Sequence, residues 1–140
     1  MHRVIFACVQ NAGRSQIAAA LFNALADRSL AEATSGGTRP GSRVHPVVVE
    51  ALRELGIDIS ERRPQRLTDS MLERATLVVT MGCGEECPVA SGVERQDWPL
   101  PDPSDRPLAE VSQIRDDIHH RVTALIEARG WSKPPTTPVP

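Results

Sequence analysis

The chain has 140 residues, of which 40% are apolar, a size and composition that suit one domain with a substantial buried core. Its net charge is −2 and its arginines are scattered, so no basic block indicates a nucleic acid or an anionic membrane as a partner. No apolar run approaches the roughly 20 residues of a membrane span, and the first residues lack a signal-peptide pattern. Three cysteines, an odd number, fit a disulfide scaffold poorly. We therefore expect a cytoplasmic protein whose thiols are kept reduced.

The stretch CVQNAGRS, residues 8–15, connects a predicted strand to a predicted helix. Residues 2–7 form a short apolar run with a β-branched centre, typical of a buried strand, and apolar residues recur at helical spacing over 15–28. A loop that enters a helix leaves backbone N–H groups without partners and places them at the positive end of the helix dipole. We therefore predict that residues 8–15, the oxyanion loop, bind an oxyanion.

Two side chains of the oxyanion loop suggest a chemical role for it. Cys8 opens the loop, and Arg14 lies six residues later, so that its guanidinium can fold back over the same concavity and bind two oxygens. Ser15 can donate a hydrogen bond to the sulfur of Cys8, which favours a nucleophilic thiolate. The residues expected to contact the substrate are Val9, Gln10, Asn11, Ala12, Gly13, Arg14 and Ser15.

The rest of the chain alternates between predicted strands and helices. The further predicted strands span residues 31–37, 76–80 and 93–100. The further predicted helices span residues 46–55, a short segment capped near Thr68 or Asp69, and 109–129, which Gly130 ends. His45 precedes the second helix, and we interpret it as a cap without a catalytic role. The alternation predicts an α/β fold: a single domain, residues 1–130, with a four-stranded parallel sheet and helices on both faces. Residues 131–140 are rich in proline, and this composition predicts a disordered tail.

Three chemically important residues each follow a predicted strand. In a parallel sheet the functional loops meet at the carboxyl ends of the strands, so we expect Cys8, Cys83 and Asp102 to converge. Cys83 and Cys87 are four positions apart, so their sulfurs can share one face of a helical turn or form a disulfide within a loop. A zinc site would need about four ligands, and no nearby Cys or His pair completes one. We favour a redox pair; two buried thiols without a chemical role are the alternative.

The combination of these features resembles a known family. A Cys-x5-Arg-Ser loop after the first strand, with Asp102-Pro103 far downstream, resembles the low-molecular-weight protein tyrosine phosphatase superfamily. Within it, Asn11, the Ser-Gln pair after Arg14 and the two cysteines of TMGCGEECP resemble the arsenate reductase branch. The resemblance runs from about residue 4 to residue 128 and implies the low-molecular-weight phosphatase fold.

The resemblance implies a mechanism in which arsenate is reduced to arsenite. Cys8 attacks arsenate while Asp102 protonates the departing oxygen as general acid. Cys83 then attacks Cys8, arsenite leaves, and Cys87 moves the disulfide to the surface for thioredoxin or a mycoredoxin-like reductant. Phosphate and sulfate would compete as oxyanions of similar shape. We expect no cofactor and no metal. Ala19 stands where some members carry a glutamate that helps to bind potassium, so we expect no potassium site.

The cysteine pair separates the alternatives. Only three residues lie between Cys83 and Cys87, fewer than in the better-known thioredoxin-coupled pattern, and this short segment resembles that of actinobacterial relatives, some of which use mycothiol. A phosphotyrosine phosphatase would use the same loop and acid but leaves both cysteines unexplained. It would also have Ser104 where phosphatases usually carry an aromatic residue that stacks on the substrate ring. A non-catalytic oxyanion-binding module is a third alternative.

Overall fold

A computed structural model describes residues 1–82 and 92–134 of the chain. The strands in these residues are β1 (His2–Cys8), β2 (Ala31–Gly37), β3 (Leu77–Thr80) and β4 (Glu94–Asp97). The helices are α1 (Arg14–Leu25), α2 (Pro46–Arg53), α3 (Asp69–Glu73) and α4 (Leu108–Arg129). None of the described helices is both long enough and apolar enough to span a membrane.

The strands form one parallel sheet in the order β2-β1-β3-β4. Apart from the exposed His2 and Arg3 and from Thr80, the two central strands are apolar, because a parallel sheet is covered on both faces. Alternate residues of β1 enter two separate cores: Phe6 packs with α1, α2 and α4, and Ile5 packs with α3 and the segment before it. The predicted single α/β domain, with a four-stranded parallel sheet and helices on both faces, is confirmed. Cys8 pairs with Gly37 and Ala7 pairs with Thr80, so the loops after β1, β2 and β3 share one edge of the sheet.

The carboxyl-terminal boundary of the domain differs from the prediction. Trp131 is only 5% exposed, and its ring centroid lies 6.0 Å from that of Phe22 in the main core. Its carbonyl accepts a hydrogen bond from the N–H of Asp27, and Ser132 pairs with Ala26. The prediction that the disordered tail begins at residue 131 is wrong for Trp131 and Ser132, because burial of a large ring outweighs the polar, proline-rich context. Residues 135–140 lie outside the described part of the chain.

A buried arginine of α4 is bonded to the carboxyl-terminal end of α2. The apolar stripe of α4 is buried and comprises Val111, Ile114, Ile118, Val122 and Leu125; Gly130 ends the helix, as predicted, and has a φ of +72°. Arg115 of α4 donates hydrogen bonds to the carbonyl of Ala51 at 2.6 Å and to the carboxylate of Glu54 at 2.8 Å. A hydrogen bond from Ser112 and the contact with Arg115 lower the pKa of Glu54 below its usual value.

Candidate active site

The oxyanion loop is held by hydrogen bonds to its carbonyl groups. The carbonyls of Cys8, Val9, Gln10 and Ala12 accept from the N–H groups of Thr38, Arg39, Gly41 and His45, respectively, at 2.8–3.2 Å. Gly37 permits this close packing, because a Cβ there would lie 2.6 Å from the carbonyl oxygen of Val9. Because these four carbonyls are bonded to the segment after β2, they do not face an oxyanion in the cavity, which their partial negative charge would repel.

The sulfur of Cys8 lies at the end of a chain of hydrogen bonds. Its Sγ is 2.8 Å from Oγ of Ser15 and accepts from the backbone N–H of Asn11 at 3.2 Å. Nδ2 of Asn11 donates to Oγ of Ser15 at 2.8 Å, which leaves the hydroxyl proton of Ser15 for the sulfur. Two donors therefore point at Sγ, and both interact more strongly with a thiolate than with a thiol.

Asn11 and Ser15 act beneath the cavity rather than on its wall. Both side chains are fully buried, whereas we expected both to contact the substrate. Asn11 has a φ of +53°, a left-handed conformation that Asn tolerates better than most residues. Its Oδ1 accepts from Nε2 of Gln16 at 3.0 Å and from the N–H of Gln65 at 2.9 Å. The side chain of Asn11 is thus a buried cross-link that fixes the loop through hydrogen bonds to Ser15, Gln16 and Gln65.

A cavity of about 280 Å³ opens over the loop. Seven of its lining residues were predicted as site residues: Cys8, Val9, Gln10, Ala12, Gly13, Arg14 and Asp102. The other two, His45 and Gly82, were not. Arg14 is mostly buried, donates from Nη1 to the carbonyl of Leu100 at 2.9 Å and places Nη2 3.9 Å from the carboxylate of Asp102. The structure therefore brings Cys8, Arg14 and Asp102 to one cavity, although Asp102 lies far along the chain from the other two.

Asp102 belongs to an exposed turn, residues 101–106, the acid loop. Its Oδ1 accepts from the N–H of Ser104 at 2.9 Å, and its carbonyl accepts from Nε of Arg106 at 2.6 Å. The neighbouring Pro103 is buried against Gly13, where a Cβ would lie only 2.7 Å from Cγ of the proline. Pro103 on Gly13 is therefore the contact that seats the acid loop over the oxyanion loop, and it explains why position 13 is glycine.

The interpretation of His45 as a helix cap is wrong for its side chain. His45 holds the N-cap position of α2, but its ring makes no capping hydrogen bond, and Pro46 at the first helical position suits the start of the helix instead. The ring lines the cavity, and its Cδ2 lies 3.5 Å from where a Cβ of Gly13 would be. No local signal marks this role, because it depends on how the segment after β2 folds back onto the loop.

The other two predicted catalytic cysteines, Cys83 and Cys87, lie outside the described residues. Within residues 1–82 and 92–134, no group of three or more His, Cys, Asp or Glu side chains is placed to hold a metal ion.

Comparison with known proteins decides the family. The model of the family described as low molecular weight phosphotyrosine protein phosphatase matches residues 3–130. The chain belongs to this family. A Halobacterium salinarum protein with a provisional name as an arsenate reductase is 41% identical over 126 residues, 87% of this chain and 89% of that protein. Glutaredoxin arsenate reductase from Synechocystis is 30% identical over 129 residues, 90% of this chain and 97% of the relative.

A solved structure shows the same fold at similar identity. Thioredoxin-dependent arsenate reductase from Corynebacterium glutamicum is 40% identical and superposes with a TM-score of 0.78. The match covers 91% of this chain but 61% of the Corynebacterium chain, so this chain spans less than two thirds of that protein. The resemblance predicted from the sequence, to the phosphatase superfamily and to its arsenate reductases, is confirmed.

Proposed function

We propose that this protein is an arsenate reductase that converts arsenate to arsenite in the cytoplasm. The observation that carries the proposal is the composition of the cavity, where Cys8 and Arg14 meet Asp102 in a small polar space. No Phe, Tyr or Trp side chain is among the described residues that line it, and Ser104 follows the Asp-Pro pair. Such a site suits an inorganic oxyanion better than the ring of phosphotyrosine, which an aromatic wall would stabilise. The identities to arsenate reductases support the same choice.

The first step joins arsenic to Cys8. The thiolate attacks arsenate, a sulfur–arsenic bond forms, and one oxygen leaves as water after accepting a proton from Asp102. Arg14 and the N–H groups of the loop hold the remaining oxygens and stabilise their charge. His45 lines the same space, and we assign to it an additional N–H donated to the oxyanion.

The second step uses the cysteines that follow β3. The thiolate of Cys83 attacks the sulfur of Cys8, so that a disulfide forms and the sulfur–arsenic bond breaks. The electron pair of that bond passes to arsenic, which leaves as arsenite; two thiols are oxidised and arsenic(V) is reduced to arsenic(III). Cys87 then attacks Cys83 and releases Cys8, and the Cys83–Cys87 disulfide is reduced by an external dithiol.

The external reductant is thioredoxin or a protein of the same chemistry, such as a mycoredoxin. The Corynebacterium relative is thioredoxin-dependent, whereas the name of the Synechocystis relative specifies glutaredoxin. The cysteine relay favours a dithiol protein, because Cys87 already performs the resolving step that a small external thiol would otherwise supply.

Steady-state arsenate reduction tests the proposal. The full chain is assayed with arsenate and thioredoxin, and in parallel with glutathione and glutaredoxin and with mycothiol and mycoredoxin. We expect arsenate-dependent oxidation of the reductant and release of arsenite, fastest with a dithiol protein that needs no small thiol. Failure of every donor, with hydrolysis of p-nitrophenyl phosphate, would instead assign the cavity to a phosphatase.

A further inference from the structure

Gly82 lies directly beneath the guanidinium of Arg14. A Cβ added at Gly82 would be 3.0 Å from Cζ and 3.2 Å from Nη2 of Arg14, and closer still to Nη1. The approach to Nη1 is closer than real Cβ atoms show, so the guanidinium, which ends a flexible side chain, would have to shift. The guanidinium therefore rests on the backbone of Gly82, in a space that exists only because this residue has no side chain.

The other contacts of Arg14 limit how far it can move aside. Nη1 donates to the carbonyl of Leu100, and Nη2 approaches Asp102. The side chain is 13% exposed, so little open solvent surrounds it. A side chain at position 82 would have to displace the guanidinium from both partners and from its place in the cavity over the oxyanion loop.

Other glycines in the chain show that backbone conformation alone does not explain Gly82. Gly82 has a φ of +85°, and Gly56, Gly92 and Gly130 have φ values of +77°, +84° and +72°. At these three glycines a Cβ would meet no atom of residues 1–82 and 92–134 within 4 Å. Gly82 therefore combines a left-handed backbone, which glycine adopts at low cost, with a close approach to a functional side chain.

We propose that Gly82 is a positioning residue that sets the guanidinium of Arg14 over the oxyanion loop. The inference rests on the proposed function, in which Arg14 holds arsenate. Gly82 immediately precedes Cys83 in the chain, so the residue beneath the oxyanion-binding guanidinium is the sequence neighbour of the cysteine that resolves the adduct in the proposed reaction. The site that binds the oxyanion and the segment that resolves the adduct thus share one residue.

Sulfate binding by Gly82→Ala, measured by calorimetry at fixed pH and ionic strength, tests the inference. Sulfate reports on Arg14 without arsenate, reductant or turnover. Gly92→Ala is the matched control, because it introduces the same left-handed alanine at a position where no described residue would have to be displaced. We expect Gly82→Ala to weaken sulfate binding about tenfold or more, as loss of a charge-assisted hydrogen bond does. Gly92→Ala should stay within about twofold of the wild type. Equal affinities in Gly82→Ala and the wild type, or equal losses in the two variants, would overturn the inference.

A double variant separates positioning from general damage. In an Arg14→Lys background the ammonium is small enough to avoid position 82, so adding Gly82→Ala should cause no further loss of sulfate affinity. If Gly82→Ala folds poorly because of the clash, the double variant should melt at a higher temperature than Gly82→Ala alone. Strictly additive losses, in affinity and in melting temperature, would mean that Gly82 does not act through Arg14.

The arsenate kinetics of the same variants keep the two proposals distinct. Gly82→Ala should raise KM for arsenate more than it lowers kcat, since binding precedes the covalent step. A wild type that binds sulfate but reduces no arsenate would refute the proposed function. The sulfate affinities of the variants would still test the role of Gly82. A wild type that reduces arsenate, with a Gly82→Ala variant of unchanged KM, would refute the role of Gly82 alone.

Discussion

The oxyanion loop and the acid loop each form part of the wall of one cavity and are built in different ways. The oxyanion loop is buried between β1 and α1, its carbonyls are held by the segment after β2, and Asn11 cross-links it from below. The acid loop is exposed: the side chain of Asp102 is 60% exposed, and Pro103 supplies its packing contact with Gly13. A preorganised loop stabilises charge without reorganisation, whereas an acid must exchange its proton with water after every turnover. The comparison indicates that binding depends on the rigid wall and that proton transfer depends on the exposed one.

The largest expected effect lies on the rigid wall. Cys8→Ser should abolish arsenate reduction while the protein stays folded, because a serine hydroxyl is not ionised at neutral pH and cannot replace the thiolate. Arsenite release and the melting temperature should be measured on the same sample. Measurable turnover by the folded variant would remove Cys8 from the nucleophile's role.

Asp102→Asn should distinguish proton transfer by the acid loop from oxyanion binding by the oxyanion loop. We expect formation of the thiol-arsenic adduct to slow about 10²-fold, the usual effect of losing a general acid, with little loss of sulfate affinity. Rapid-quench measurement of the adduct gives the rate, and Asp105→Asn is the control, an acid in the same loop that does not line the cavity. Normal adduct formation in the Asp102 variant would place the acid elsewhere.

Asn11→Ala tests whether the oxyanion loop is rigid because of its buried cross-link. Removal of the side chain leaves the N–H of Gln65 without its acceptor and takes one of its acceptors from Nε2 of Gln16, so we expect about 1–3 kcal/mol of lost unfolding free energy and weaker sulfate binding. Asn11→Gly is the matched variant, since glycine removes the same hydrogen bonds without the cost of a left-handed alanine. Urea denaturation gives the unfolding free energy of both variants, and calorimetry gives their sulfate affinity. Wild-type stability in both variants would mean that the cross-link does not hold the loop.

His45 should give the smallest effect, because its ring adds one donor to a site already rich in them. We expect His45→Ala to weaken sulfate binding by about threefold to tenfold, and His45→Gln, which keeps an N–H, to lose less. His120→Ala, an exposed histidine on α4, is the control. Identical sulfate affinities in the wild type and both His45 variants would exclude a contact between this ring and the oxyanion.

The features that could be predicted from the sequence are those written in contiguous residues. Residues 8–15 carry nucleophile, arginine and supporting serine on one strand–loop–helix unit, and the stripe and terminal glycine of α4 mark that helix directly. His45, Gly82 and the support of Asn11 by Gln65 could not be predicted, because each depends on the approach of a segment distant in sequence. Trp131 was missed for the same reason, since its burial depends on α1 and β1 rather than on its proline-rich neighbours.

A single turnover without a donor tests the central claim most directly. The fully reduced chain, freed of reductant, is mixed with excess arsenate, and arsenite and remaining thiols are counted. We expect one arsenite per chain and the loss of two thiols from the wild type. Cys87→Ser should also release one arsenite and stall as a Cys8–Cys83 disulfide, whereas Cys83→Ser should release none. Absence of arsenite from the wild type, or its release with all three thiols still reduced, would contradict the account.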